Sequence, residues 1–199
     1  MTQWIDDPQG GRARGPRALA RAWLEVLVRP GRFFRTGVAP GDQAPGLTFL
    51  LTVVLVAATS RYVLTPEVYP SIPVSPVLEG LFWISLLVFL VAPLGLHLLA
   101  AVQTLFLMIV ARQRAGISQT VQVIAYATAP CVFVGIPIPA VRLLACWYGA
   151  VLLIVGLRTV HELSVVRAVL AGVVPAAILF GYGFGGFTAL ESVAGSLPV

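Results

Sequence analysis

An all-α membrane protein, with five transmembrane helices preceded by an amphipathic interfacial helix, is the architecture predicted for this chain of 199 residues. Three observations predict it. The composition is 58% hydrophobic and only 11% charged, whereas about a quarter of the residues of a soluble domain are charged. Five apolar segments recur along the chain, each near or above the roughly 20 residues that a bilayer core requires. All 13 basic residues are arginine, and their uneven placement implies an orientation.

Residues 1–15 are polar and rich in Gly and Arg, with Asp6, Asp7 and Pro8 in a row. They cannot bury enough apolar surface to order themselves, so a disordered tail is expected. From Pro16 the pattern changes. Arg17, Arg21, Glu25 and Arg29 recur every four residues, while Leu19, Trp23, Val26 and Leu27 fall on the other face. Residues 16–29 therefore predict an amphipathic helix too short and too charged to span. Two placements suit it: in the interface plane, with Trp23 toward the acyl chains and arginines on phosphates, or packed on the bundle's own cytoplasmic loops. Pro30 and Gly31 end it, and a linker leads to residue 46.

The first span covers about residues 46–64, with Arg61 near its end where it can snorkel outward. Residues 1–45 are too long and polar for a signal-peptide leader, so this span is expected to be an uncleaved anchor. Four prolines, Pro66, Pro70, Pro73 and Pro76, then predict an extended loop. The second apolar run, residues 77–111, would be about 52 Å long as an unbroken helix.

That length raises a question of parity, because two short spans folded at Pro93 would invert everything downstream. The arginines decide it. With one long, tilted helix kinked at Pro93, eleven arginines lie on one side and only Arg61 and Arg142 on the other. The third span, residues 121–138, turns at Gly135 to Pro139 into the fourth, residues 141–157, as an antiparallel hairpin. Cys131 and Cys146 then sit at similar depth and could face each other, although as small buried hydrophobes they need no bond. The fifth span, residues 167–190, holds Pro175 and a Gly181/Gly185 pair at the spacing that lets helices approach closely, within the bundle or in a homo-oligomer. Residues 191–199 are expected outside as a tail.

Catalytic motifs are not found. His161-Glu162 begins a zinc-protease pattern, but the second histidine would fall at Val165. Gly181-Tyr182-Gly183 resembles a potassium filter by letter, yet lies within a single final segment. No carboxylate sits well inside a span, where a proton-coupled carrier would keep one. His97 and Gln103 lie six residues apart on different faces, which suits interhelical hydrogen bonding better than a shared site. No catalytic, cofactor or metal residues are therefore expected, and the basic pI points to a membrane surface rather than nucleic acid.

Three strings carry a resemblance: Arg29-Pro30-Gly31-Arg32-Phe33-Phe34 before the first span, Ala125 to Pro130 with Tyr126 in the third, and Gly156-Leu157-Arg158 with His161, Ser164 and Arg167 between the fourth and fifth. In this order and spacing the chain resembles the Yip1 domain family of five-span membrane proteins, in a short prokaryotic, archaeal-like form, over about residues 19–189. The resemblance implies a cytoplasmic N-terminus and an outside C-terminus, the orientation that the arginines predict independently. In eukaryotes it implies a link to vesicle traffic and to prenylated small GTPases. The long acidic cytosolic domain of those members is missing here, which argues against a GTPase partner.

The function expected is a non-enzymatic organiser in the cell membrane, engaging anionic lipid or an unidentified membrane or cytoplasmic protein. Its contacting face would comprise Arg17, Arg21, Trp23, Arg29, Arg112, Arg114 and the loop from Arg158 to Arg167. The alternative is a small-solute carrier or channel that uses Pro93, Pro130 and Pro175 as helix breaks. Tyr126, Thr128 and Pro130 read as a packing seam, so Pro130→Ala is expected to alter geometry or stability rather than chemistry.

Overall fold

The computed structural model describes residues 15–111 and 114–196, and every regular element among them is helical. The expected N-terminal tail up to residue 14, Arg112 and the last three residues lie outside the described residues. Four helices are long and apolar enough to cross a membrane: Ala44–Leu64, Pro76–Val110, Pro139–Val160 and Val165–Gly183. Shorter elements fill the spaces between them.

Helix α1 (Pro16–Val28) and helix α2 (Pro30–Thr36) precede the first span. Pro30 ends α1 as expected, but it also opens α2, because a proline's fixed φ and missing N–H suit the first turn of a helix. Helix α3 (Ala44–Leu64) is the first span. The proline-rich connection after it contains one 3-10 turn, Pro66–Val68, where an extended loop was expected. Glu79 and the indole of Trp83 pin this connection: Glu79 Oε1 accepts from the Ile72 amide at 3.0 Å, and Trp83 Nε1 donates to the Pro70 carbonyl at 3.1 Å.

The second span is one 35-residue run, as the arginines required. It comprises α4 (Pro76–Leu86), a π-helical segment Leu87–Val91 and α5 (Ala92–Val110). Pro93 lacks the N–H that would bond the carbonyl four residues back, and the widened π turn falls just before it. The last span repeats the device. Helix α8 (Val165–Ala176) contains Pro175 and runs into a π-helical segment, Ala177–Gly183. The carbonyl that Pro175 leaves without a partner is that of Ala171, and Gln103 Nε2 of α5 donates to it at 2.9 Å. His97 bonds elsewhere, to Gln43 Oε1 at 3.1 Å. Gln103 thus bonds across helices, whereas His97 ties the second span to the residue that precedes α3.

The third apolar segment departs from expectation. Helix α6 (Ile117–Ala127) has 11 residues and gives way to a 3-10 segment, Ala129–Phe133, so it lacks the unbroken length of the four long helices. Pro130 cannot donate within a helix, and Thr128 Oγ1 bonds back to the Ala125 carbonyl at 2.6 Å, which closes the turn. Residues 120–131 are all buried. This segment is the centre of the bundle, packed against α3, α5 and α7 (Pro139–Val160).

The glycines near the C-terminus also behave differently from a continuous close-packing face. Gly185 has φ 76, a left-handed conformation that ends the last span at Gly183 instead of the expected residue 190, and α9 (Gly186–Gly195) takes up the rest of that stretch and the start of the expected tail. Gly181 approaches Phe187 of α9 rather than another span. Cys131 and Cys146 do face each other, and both are free thiols.

Candidate functional site

The three strings quoted from the sequence converge in space. Phe33 and Phe34 of α2 are buried. The Phe33 ring meets that of Tyr126 edge to face at 4.9 Å, and Phe49 of α3 meets the other side of Tyr126 at 5.2 Å. Phe34 lies over Gly156 of α7: a Cβ added there would be 3.0 Å from the Phe34 ring and 2.7 Å from Val123. Gly156 is thus small because α2 and α6 both press on it. Pro130 is buried at the end of this seam, and the carbonyl of neighbouring Ala129 accepts from Trp23 Nε1 at 2.7 Å.

That bond draws α1 onto the bundle. Ala22 and Val26 are buried, Leu19 and Trp23 pack on the core, and the Tyr148 hydroxyl of α7 donates to the Leu27 carbonyl. Of the two placements open to the apolar stripe, it takes packing on protein, and it lies against the helices rather than the loops. The reason is the broken α6, which leaves carbonyls and a hollow that Trp23 can fill. The outward face of α1 carries Arg17, Arg21, Leu24 and Val28, with Val28 72% exposed, and Arg29 is exposed at its end. Cations interleaved with apolar side chains on one face suit a lipid headgroup region.

The linker before α3 is held as firmly. Gln122 Nε2 donates to the Ala39 carbonyl at 2.6 Å while Gln122 Oε1 accepts from the Ala39 amide at 3.1 Å. Gln122 was not among the residues expected to form a site. The signal was present: a polar side chain in the middle of an apolar run needs a partner.

The turn from α7 into α8 assembles the remaining residues. Ser164 caps α8, its Oγ accepting from the Arg167 amide at 3.4 Å, and Glu162 takes φ 52 in the turn. Two hollows flank the turn. One is lined by Arg35, Arg158, Gln119 and Glu162, the other by Arg114, His161, Glu162 and Arg167. Four guanidinium groups thus border one turn, with Glu162 the acidic side chain shared between the hollows. No local pattern marks Arg35, since only the folding of α2 brings it beside Arg158.

His161 anchors this turn. It is 3% exposed, its Nδ1 accepts from the Ala115 amide at 3.2 Å, and its Nε2 lies 3.4 Å from Thr120 Oγ1. An acceptor role for Nδ1 requires the neutral ring with the proton on Nε2. Burial, reinforced by the positive charge of Arg114, lowers its pKa from 6.5 to about 4. The neutral form is the one the fold holds, so its contribution is complete above pH 6.5 and is lost as pH falls toward 4. The gap corresponds to at most about 3 kcal/mol. Melting temperature in detergent is expected to fall more steeply over that interval for the wild type than for His161→Gln; equal profiles would remove His161 as the cause.

Chemically, this face can bind anions. Among the described residues no group of three or more His, Cys, Asp or Glu side chains could hold a metal ion. Arg17, Arg21, Arg29, Arg114, Arg158 and Arg167 are exposed, and guanidinium forks match phosphate and carboxylate geometry. Pro30, Phe33, Phe34, Tyr126, Pro130 and Gly156 lie beneath them as the support.

The Yip1 domain family model matches residues 24–187, which include the aromatic seam, the four long helices and the turn around His161. No curated protein and no solved structure matches the chain.

Proposed function

Since the chain belongs to the Yip1 domain family of membrane proteins, we propose that it is a non-enzymatic organiser of the cell membrane, engaging anionic lipid or a protein partner through its arginine-rich face. The observation that carries this proposal is the gathering of Arg35, Arg114, Arg158 and Arg167 around one turn, above a rigid aromatic support. A surface built to bind should stand on packed elements, and this one does.

In this proposal the N-terminus is cytoplasmic, the C-terminus outside, and the α6 segment provides the fifth crossing. Residues 117–133 advance about 26 Å as α-helix and 3-10 turn together, close to a bilayer core. Cysteines placed at the exposed positions Ser164 and Ser192 test the parity, because the native thiols are buried. A membrane-impermeant maleimide should label Ser192→Cys in intact cells and Ser164→Cys only after lysis. Reversed labelling, with Ser164→Cys reacting in intact cells and Ser192→Cys only after lysis, would refute this topology, because four crossings from a cytoplasmic N-terminus exchange the two sides.

The function is tested by cross-linking in native membranes and by lipid binding. The wild type is expected to capture anionic lipid or one protein through this face, and Arg35→Gln with Arg158→Gln to reduce capture about tenfold. Capture that is absent, or unchanged by those substitutions, would refute the proposal. The carrier reading has one feature in its favour, since the helix breaks face a common cavity, but that cavity is lined almost entirely by apolar side chains and suits no polar solute.

A further inference from the structure

Two arginines are not used by the face just described. Arg61 lies in the last turn of α3 and Arg142 in the first turn of α7, at the opposite ends of those helices from Gln43 and His161. The sequence set them apart as the two exceptions to the charge bias. The fold brings them together: Arg142 Nε donates to the Val134 carbonyl at 3.1 Å, neighbouring Gly135 packs on the Arg61 backbone, and the Arg61 charge reaches Arg142. Among the described residues no carboxylate pairs with either. Two like charges near membrane depth disfavour each other, and an anion between them removes the conflict.

Directly beside them is a cavity of about 320 Å³, bordered by Arg61 and by Val134, the residue that Arg142 holds. Its walls are otherwise apolar, with Thr128 and Tyr69 as the other polar side chains. Both π-helical segments contribute to it, Leu87 and Val91 from the first and Ile178 and Gly183 from the second, and Thr128 and Val134 flank the 3-10 segment on its border. Helices widened or broken at one place leave space between them, and π segments recur at binding sites for that reason. The volume lies at the small end of ligand pockets, sufficient for one chain and not for a whole lipid.

We propose that this cavity holds one acyl chain of an anionic phospholipid, from the leaflet opposite the N-terminal arm, with its phosphate between Arg61 and Arg142. An apolar cavity with Arg61 on its border, and with Arg142 bonded to Val134 on that same border and paired with no carboxylate among the described residues, has the charge and polarity pattern of such a molecule. Tyr69, within the electrostatic reach of Arg61 and packed on Tyr62 and Trp83, closes the loop side of the site. The proposal is independent of the arginine-rich face at the other end of the bundle.

Native mass spectrometry of the purified full chain tests it, with phosphatidylglycerol, phosphatidylcholine and glycerol 1-phosphate as probes. The wild type is expected to retain one phosphatidylglycerol at roughly tenfold lower concentration than phosphatidylcholine. Arg61→Gln with Arg142→Gln should abolish that difference. Gly95 lines the cavity, and nothing lies within 4 Å of a Cβ built on it, so Gly95→Leu should fill the space and lower retention of both lipids about tenfold. Should its melting temperature drop, Ala58→Leu fills the same cavity. Equal retention of the two lipids, a preference that survives loss of both arginines, or retention unchanged by filling the cavity would each overturn the proposal. Competition by glycerol 1-phosphate alone would also overturn it, by showing a bare anion site.

Discussion

Tyr126→Ala is expected to lower the melting temperature in detergent by roughly ten degrees or more, the largest effect of any single side-chain truncation in this protein. The ring is fully buried and clasped edge to face by Phe33 and Phe49. Truncating a buried aromatic costs about 3–5 kcal/mol in soluble cores. In a lipid-solvated bundle the transfer component shrinks, but the lost packing and edge-to-face contacts remain. The effect should also spread to the N-terminal region. Phe33 belongs to α2, so removing its platform should release α1 and α2 to limited proteolysis while the long helices stay protected. Tyr126→Phe keeps both ring contacts and should retain most of the stability. A Tyr126→Ala protein that melts like the wild type would show that the seam does not support the N-terminal helices.

Gly135→Ala is expected to be nearly as disruptive, although it adds a single methyl group. A Cβ at Gly135 would be 2.0 Å from Ser60 Oγ, 2.5 Å from the Ala57 carbonyl and 2.8 Å from the Arg61 amide. The last two are backbone atoms of α3 and cannot rotate aside. The hairpin between α6 and α7 would have to lift from α3, at a cost of about 1–3 kcal/mol or more. Ser60→Ala in the same chain should not rescue it, because the backbone contacts persist. Gly95→Ala is the matched control: with open space around it and better helix propensity, it should be neutral or stabilising. A destabilised control with an unaffected Gly135→Ala would refute this packing.

Much of the architecture was legible in the residues. Spans at 46–64 and 141–157 lie within α3 and α7, and the long second run was recognised as a single helix because splitting it would have scattered the arginines. Lipid solvation makes such features readable: a backbone that cannot bond to lipid must bond to itself, so apolar length becomes helix. The site residues were legible as strings and not as a site. Phe33, Tyr126 and Gly156 are far apart in the chain, and nothing local says that they touch. Arg35, Gln122 and the Arg61/Arg142 pair went unremarked as partners for the same reason.

Where a local pattern left the outcome open, a tertiary contact decided it. The third apolar run has the composition of a span, yet Thr128 and Pro130 break it, and Trp23 from α1 satisfies a carbonyl at the break. The stripe on α1 suits either the interface or the bundle, and the buried Ala22 and Val26 show that it packs on the bundle. Gly181 and Gly185 have the spacing of a helix-pairing motif, yet a left-handed Gly185 turns the chain so that Phe187 fills the space over Gly181. Amino-acid sequence by itself determined that this is a multi-pass helical membrane protein, where its long spans lie and how its charges divide. Only the tertiary structure decided which helix breaks share a cavity, which arginines become neighbours and which face of α1 stays exposed. Hydropathy and charge act residue by residue along the chain, whereas those outcomes depend on which donor reaches which freed carbonyl across the fold.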